Sequence, residues 1–395
     1  MISWGIEYHK EIKTLFNSGI NLKILIYLYS RTAKINEICS GINSTYSPVL
    51  KKLKYLTDFG IISNKQGLYS LTTTGKILAF KTALIIEDYH KNIYPGAYDR
   101  IQKSMDYDEN NIIFREVIHF EKSINDIQKI FRSEYNIKLL ACLGDSITDR
   151  EELKLKLGLS GSKGPALTKK IHWLKEKGII TGDIHHYYLK PGYEQKPVEI
   201  INLIKTIGAI IRHGNYFNSH IIEDLPRASM LSIGDLINSE QIYDTSNIPD
   251  KKENTSIDMI SDADYIYSLS NCISPGNINR VKSNIKTGAF ISTIITKDNS
   301  FRYYNEISEN HPELLRYRSN IKILTGNIPE TFAMTVTDKV FTIRFSAGAD
   351  GAFDTSRALV STSKEARDWG IKLYEHYQKD ATPIEDYISS QNHRI

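Results

Sequence analysis

The sequence predicts an α+β front half, in which a helical triad with a β-hairpin occurs twice, and an α/β back half. Three observations carry this reading. A lysine-bearing helix pattern ending in Gly-Ile-Ile fills residues 44–62 and recurs at 162–180. Each copy runs on into a short hairpin pattern. From residue 196 onward, strand-like and helix-like segments alternate, the order of a sheet flanked by helices.

The first copy begins with residues 21–29 (NLKILIYLY), a short apolar helix, and residues 34–39 (KINEIC), a second one. Gly41-Ile42-Asn43 makes the turn into STYSPVLKKLKYLTDFGII. There Val49, Leu53 and Leu56 fall at i, i+4 and i+7, one stripe of a helix. The opposite face takes Lys51, Lys52 and Lys54, and the first turn takes Ser44, Thr45, Tyr46 and Ser47. A hairpin then has arms at 61–64 and 68–71 and turns at Lys65-Gln66-Gly67, where Gly67 supplies a positive φ. Helix, helix, turn, helix and a two-stranded wing make the order of a winged helix. A helix from residue 74 follows, with apolar residues on more than one stripe. It packs on a second protomer or on the second copy, or is buried within one larger domain.

Residues 94–111 (YPGAYDRIQKSMDYDENN) hold a Pro-Gly break and an acidic cluster and mark a boundary. A helical segment, 114–130, leads into residues 136–144 (NIKLLACLG), which match 21–29 at an offset of 115. Thr148 with Glu151 is a capping-box start for the next helix. Gly178-Ile179-Ile180 match Gly60-Ile61-Ile62 at an offset of 118, so a loop before the third helix absorbs three residues. Leu167, Ile171 and Leu174 take the places of Val49, Leu53 and Leu56, and Lys169 and Lys170 those of Lys51 and Lys52. The second wing spans 179–182 and 185–189. Its adjacent His185 and His186 point to opposite faces of a strand and do not share a metal.

Charge is uneven along the chain. The first 95 residues carry 12 Lys and Arg against 6 Asp and Glu, residues 121–195 carry 13 against 10, and the whole chain nets +4. A basic front suits nucleic acid. A helix with small polar residues in its first turn and outward lysines suits the DNA major groove, although many surface helices share that composition. The expected contacts to double-stranded DNA are Ser44, Thr45, Tyr46, Ser47, Lys51, Lys52, Lys54, Lys65 and Gln66 from the first copy. The second adds Ser162, Lys163, Lys169 and Lys170. The alternative for the second copy is an internal dimerisation or spacer module.

Nothing in the composition asks for a membrane or a cofactor. No apolar run approaches the roughly 18 residues of a membrane span, and MISWGIEYHKEIK lacks the order of a signal peptide. Cys39, Cys142 and Cys272 are scattered and form neither a zinc knuckle nor a disulfide framework. A cytoplasmic setting is expected.

In the back half, residues 198–211 form an amphipathic helix and 227–237 a short one. Strands are expected at 265–269, 290–295 and 321–324, with helices at 278–285 and 300–318 between them. A hairpin at 333–336 and 340–345 turns at Thr337-Asp338-Lys339, and a strand at 358–361 and a helix at 364–377 close the domain. This order argues a mostly parallel sheet. The segments NYFNSHIIEDLP, SDADYIYSLS, IPETFAMTVTDKVFTIRFS and STSKEARDWGIKLYEHY resemble the effector domain of archaeal winged-helix regulators of the FilR or methanogenesis-regulator type. The resemblance covers about residues 196–385, and the Thr-Asp-Lys hairpin and the Glu-Ala-x-x-Trp-Gly helix are its most specific parts. It implies a transcription regulator whose C-terminal domain is distantly similar to the TrmB effector domain and the phospholipase-D sheet. The resemblance implies one winged helix before that domain in usual members; two are expected here.

A phospholipase-D-like hydrolase would need a His with a Lys two residues on, and none of the eleven histidines has one. GxSxG, Walker, GxGxxG and HExxH motifs are absent. Arg316, Arg318 and Arg344 could hold an acidic ligand or pair at the surface, and Gly348-Ala349-Asp350-Gly351 is a loop. The expected divisions are 1–95, a connection at 96–120, 121–195, an effector domain at 196–385 and a tail at 386–395. The expectation is a sequence-specific regulator, either a homodimer or a pseudo-dimeric monomer, with an unidentified small-molecule effector or partner. The alternatives are winged helices that bind protein and, third, a hydrolase.

Overall fold

In the computed structural model the chain divides into two units, Met1–Asn218 and Ser219–Ile395. The structure describes residues 8–93, 117–144, 149–159, 164–183, 185–189, 195–243, 263–270, 275–286, 288–314, 320–347, 352–354 and 356–392.

The first unit opens on a helix that its sequence hardly announces, His9–Phe16 (α1), whose Ile12, Leu15 and Phe16 are fully buried. Gly19–Leu28 (α2) is buried on most sides and forms the centre of the first module. Against it pack Ile35–Gly41 (α3) and Tyr46–Asp58 (α4). Val49, Leu53 and Leu56 of α4 are fully buried, as their spacing predicts. Ala33–Lys34 (β1), Ile62–Lys65 (β2) and Leu68–Leu71 (β3) form an antiparallel sheet of order β1-β3-β2. The hairpin turns at Gln66-Gly67, so Lys65 ends a strand. Both turn residues have positive φ, 55° and 82°, where the sequence points to the glycine alone. This is the pairing a two-residue hairpin favours. Asn64 Oδ1 steadies the turn by accepting from Gly67 N at 2.9 Å. Thr73–Ile93 (α5) closes the module.

The same order of elements returns as Glu121–Arg132 (α6), Glu134–Gly144 (α7), Arg150–Lys156 (α8), Gly164–Glu176 (α9), the hairpin Ile180–Gly182 (β4) and Tyr187–Leu189 (β5), and Gln195–Asn218 (α10). The correspondence reaches single hydrogen bonds. Asn21 and Asn136, 115 residues apart and both buried, donate through Nδ2 to Thr14 O and Lys129 O, each at 3.5 Å. Ser44 N and Leu159 N make equivalent 2.9 Å bonds to Cys39 O and Lys154 O. At an offset of 118, Ile61 N and Ile179 N both bond at 3.0 Å to the leucine five residues back. The three extra residues of the second module therefore enter just before α9. The cap of α8 is Asp149, which accepts from Glu151 N and Glu152 N. That corrects the assignment to Thr148, which lies outside the described residues. His185 and His186 are both exposed beside the Asp183 turn, and His185 precedes the strand.

The second unit is built on a nine-stranded sheet. Its strands are Glu240–Tyr243 (β6), Tyr265–Ser270 (β7), Phe290–Thr296 (β8), Ile321–Gly326 (β9), Phe332–Thr337 (β10), Phe341–Ala347 (β11), Ala352–Phe353 (β12), Arg357–Ser361 (β13) and Thr382–Pro383 (β14). The order is β14-β9-β8-β7-β10-β11-β13-β6, with β12 on β11. Only β7–β8 and β8–β9 pair in parallel among the described strands; the other pairs are antiparallel. This corrects the expectation of a mostly parallel sheet. Parallel neighbours need a crossover, here the helices Pro275–Lys286 (α12) and Lys297–Asn310 (α13). By contrast, β10 turns tightly into antiparallel β11, and β7–β10, β6–β13 and β9–β14 pair antiparallel over long separations in the chain. The helix Arg227–Leu231 (α11) runs into a 3-10 turn, Ile233–Leu236.

Lys364–Gln378 (α14) seals one face with buried Trp369, Leu373 and Tyr374. Its Gly370 lets the helix settle on Phe341, since an added Cβ would come within 2.6 Å of that ring. Of residues 386–395, expected as a tail, 386–392 belong instead to the helix Ile384–Asn392 (α15), which packs on α13 and β9, and 393–395 lie outside the described residues. Residues 196–218, expected in the back half, fall in the first unit.

Candidate nucleic-acid interface

The face of α4 turned away from its apolar stripe is built by helical spacing. Tyr46, Leu50 and Lys54 lie one turn apart, and Ser47 and Lys51 run beside them. All five are exposed, Tyr46 by 53% and Leu50 by 42%. Leu50 is an exposed apolar residue that the spacing alone does not flag, because leucine is read as core. Thr45 is exposed with an extended backbone as N-cap, and its side chain makes no cap hydrogen bond. Ser44 is half-buried.

Lys52 departs from the expectation of an outward lysine face. It is half-buried, and burial followed by the neighbouring Lys51 pushes its ammonium pKa down. Three lysines in four residues cannot all share one helix face, and Lys52 faces partly inward beside Leu53 and Leu56. Lys65, Gln66 and Leu68 are exposed at the wing.

In the second module, Lys169 is exposed and Lys170 half-buried, the same placements as Lys51 and Lys52. The rest of the face differs. Thr168 replaces Leu50 and accepts from Arg150 Nη2 at 3.0 Å. His172 replaces Lys54 and meets Glu176 at 3.2 Å. Ser162 and Lys163 lie outside the described residues. Among the described residues no cluster of three or more His, Cys, Asp or Glu could hold a metal ion, and no helix is long and apolar enough to cross a membrane.

Two features stand out in the second unit. An apolar cavity of about 460 Å³ lies between β9, β14 and α15, lined by Leu314, Ile323, Leu324 and Ile384 with Lys322 and Glu385 at hand. Its volume is within the range of small-ligand sites. The other feature is a largely buried polar cluster. Asp354 accepts from Ser356 Oγ at 2.6 Å and Arg357 Nε at 2.7 Å, and its Oδ2 lies 3.1 Å from His220 Nε2. Burial pushes the Asp354 carboxyl up, but the bonds from Ser356, Arg357 and His220 outweigh it and hold it well below the usual carboxylate range. Ser219 Oγ lies 3.0 Å from His220 Nδ1, and the fully enclosed imidazole ties the start of this unit to Asp354.

Of the arginines proposed for an acidic ligand, Arg344 is half-buried on β11, and Arg316 and Arg318 lie outside the described residues, as does the 348–351 loop. Asp338, in the hairpin turn, accepts from Asp264 N at 2.9 Å and so ties that turn to the start of β7.

The chain thus joins a basic unit that presents a helix to a separate sheet unit. Residues 9–88 match the N-terminal domain of the methanogenesis regulatory protein FilR1, and residues 249–380 match its middle domain. Together the matches take in more than half of the chain, which belongs to the FilR1 family of regulatory proteins. Among solved structures, the archaeal chromatin protein TrmBL2, described as showing a novel mode of DNA binding, is 10% identical. The match covers 66% of this chain and 99% of that one at a TM-score of 0.29, too loose to define a shared fold. No curated protein matches the chain.

Proposed function

We propose that the chain is a sequence-specific, DNA-binding transcription regulator with two winged helices in tandem, residues 1–95 and 121–195, joined through 96–120. The observation that carries this is the exposed Tyr46, Ser47, Leu50, Lys51 and Lys54 face of α4, with the Lys65-Gln66 wing tip in the same module. Lys51 and Lys54 neutralise phosphates. Thr45, Tyr46 and Ser47 approach base edges, where Leu50 suits a thymine methyl group. The second unit senses a small molecule or a partner, and the apolar cavity beside β9 supports this assignment. The protein acts in the cytoplasm.

Binding to duplex DNA across a salt series tests the reading. Each phosphate contact contributes about 0.9 to the slope of log affinity against log salt. Lys51→Ala with Lys54→Ala should weaken binding and flatten the slope by roughly 1.8. Lys52→Ala should change it much less, because that side chain is half-buried. No mobility shift even at low salt would instead favour winged helices that bind protein.

A further inference from the structure

Phe16 and Phe131 hold the same place in the two modules, 115 residues apart, and their rings meet at 4.6 Å between centroids. A residue touches its own counterpart only at a two-fold axis, where an isologous interface makes every other contact reciprocal. The surrounding contacts obey that rule. Helix α1 packs on α6 and α5 on α10, each an element against its own counterpart. The packing of α1 on α7 is answered by α6 on α2, and that of α1 on α10 by α6 on α5. At residue level, His9 reaches Glu134 at 3.0 Å. Their counterparts, Ile124 and Gly19, also meet, since a Cβ on Gly19 would lie 3.5 Å from Ile124 Cγ2.

The interface is closed and specific. Leu78, Ala79, Ala83 and Ile86 of α5, and Leu203, Ile204 and Ile207 of α10, are fully buried. The buried Lys81 crosses between these helices to Thr206 Oγ1 at 2.7 Å and Asn202 O at 3.3 Å. Tyr89 of α5 donates to Asp126 of α6 at 3.2 Å. The main packing partners of α4 and α9 lie within their own modules: α4 packs on α2, α3 and β2, and α9 on α7 and β4.

We infer that the first unit is an intramolecular dimer about a pseudo-two-fold axis through Phe16 and Phe131, and that one chain alone occupies one duplex site with two unlike halves. The inference rests on the DNA-binding reading. The surface that a separate protomer would use is already covered by the second module. The halves are unlike because the presented faces are. One offers Tyr46, Ser47, Leu50, Lys51 and Lys54; at the same positions the other carries Gly164, Pro165, Thr168, Lys169 and His172. A symmetric dimer reads a palindrome; this arrangement reads a site whose two halves differ.

The full chain, selected against a random-sequence duplex pool, supplies the test. Sedimentation should give a 45.1 kDa species alone and one chain per duplex in the complex. Hydroxyl-radical footprinting should show two protected patches of different sequence. Lys51→Ala with Lys54→Ala should erase one patch and Lys169→Ala with His172→Ala the other, each weakening binding by at least ten-fold. All four residues are exposed, so folding is not at stake. Two chains on a palindromic site, or a footprint indifferent to Lys169 and His172, would overturn the inference while leaving DNA binding standing. A chain that dimerises without DNA overturns the closed seam. Absence of any binding at low salt overturns the regulator reading and, with it, the bipartite site.

Discussion

Replacing Asp354 by alanine is expected to cost the second unit about 3 kcal/mol, the usual penalty for breaking a buried charge cluster by removing one partner. The carboxylate accepts from Ser356 and Arg357 and faces the Nε2 of a His220 ring with no exposure, so its loss strands several polar groups at once. His220 also pairs in a bridge with Ala347, which ties the first residues of this unit to the end of β11. Hydrogen exchange at the amides of β11 and β13 in urea should show the loss. Ser356→Ala, which removes one hydroxyl from the same carboxylate, should cost only about 1 kcal/mol. Equal stability of Asp354→Ala and the parent would mean that the cluster clamps nothing.

The pH dependence of the same contact has a definite sign. Asp354 binds its proton more weakly in the folded chain than in the unfolded one, because its folded pKa is held below the usual range. Its contribution is therefore complete above the ordinary carboxylate pKa of about 3.9 and is lost as pH falls below that toward the folded value. The parent should lose stability in acid that the alanine variant has already lost, so the two should converge as pH falls.

The parts of the fold legible in the sequence are those set by local spacing. The stripe of Val49, Leu53 and Leu56 is a helix period, and its recurrence at Leu167, Ile171 and Leu174 needs no tertiary information. The outward face of α4 follows from the same period, apart from Leu50, whose exposure contradicts its chemistry, and Lys52, which the period turns inward. Partners distant in the chain were not legible. Helix α1 has eight residues with four charged or imidazole side chains, and its burial comes from α6 and α7, more than a hundred residues away. The antiparallel half of the sheet depends on which strand β10 meets, and β7 lies more than sixty residues before it. The seam between modules shows itself in the sequence only as excess apolar residues on α5, a signal equally suited to a second protomer.

Gly75→Ala should be among the most damaging single changes in the first unit. A Cβ there would fall 2.1 Å from Ile61 O, a backbone atom with no rotamer to yield, so either α5 or the start of β2 must move. Overpacking of this kind costs about 3 kcal/mol at the upper end of its usual range. The site is also a junction. Thr72 Oγ1 donates toward Gly60 O and Ile61 O and accepts from Gly75 N, while Asn218 at the end of α10 accepts from Thr74 N and donates to Gly60 O. The first wing, α5 and the last turn of α10 thus meet at one point, and displacing α5 disturbs both the wing and the seam between modules. Gly67→Ala makes the contrast. Its φ is 82°, but a Cβ there meets nothing within 4 Å, so only backbone strain of about 1–2 kcal/mol is added, at a wing tip. Urea unfolding should therefore rank Gly75→Ala well below Gly67→Ala, and DNA affinity at fixed salt should fall for both, through lost folding in one and an altered wing in the other. A Gly75→Ala chain with parental stability would mean that α5 shifts against the wing at no cost, and the tight junction of Thr72, Gly75 and Asn218 would have to be abandoned.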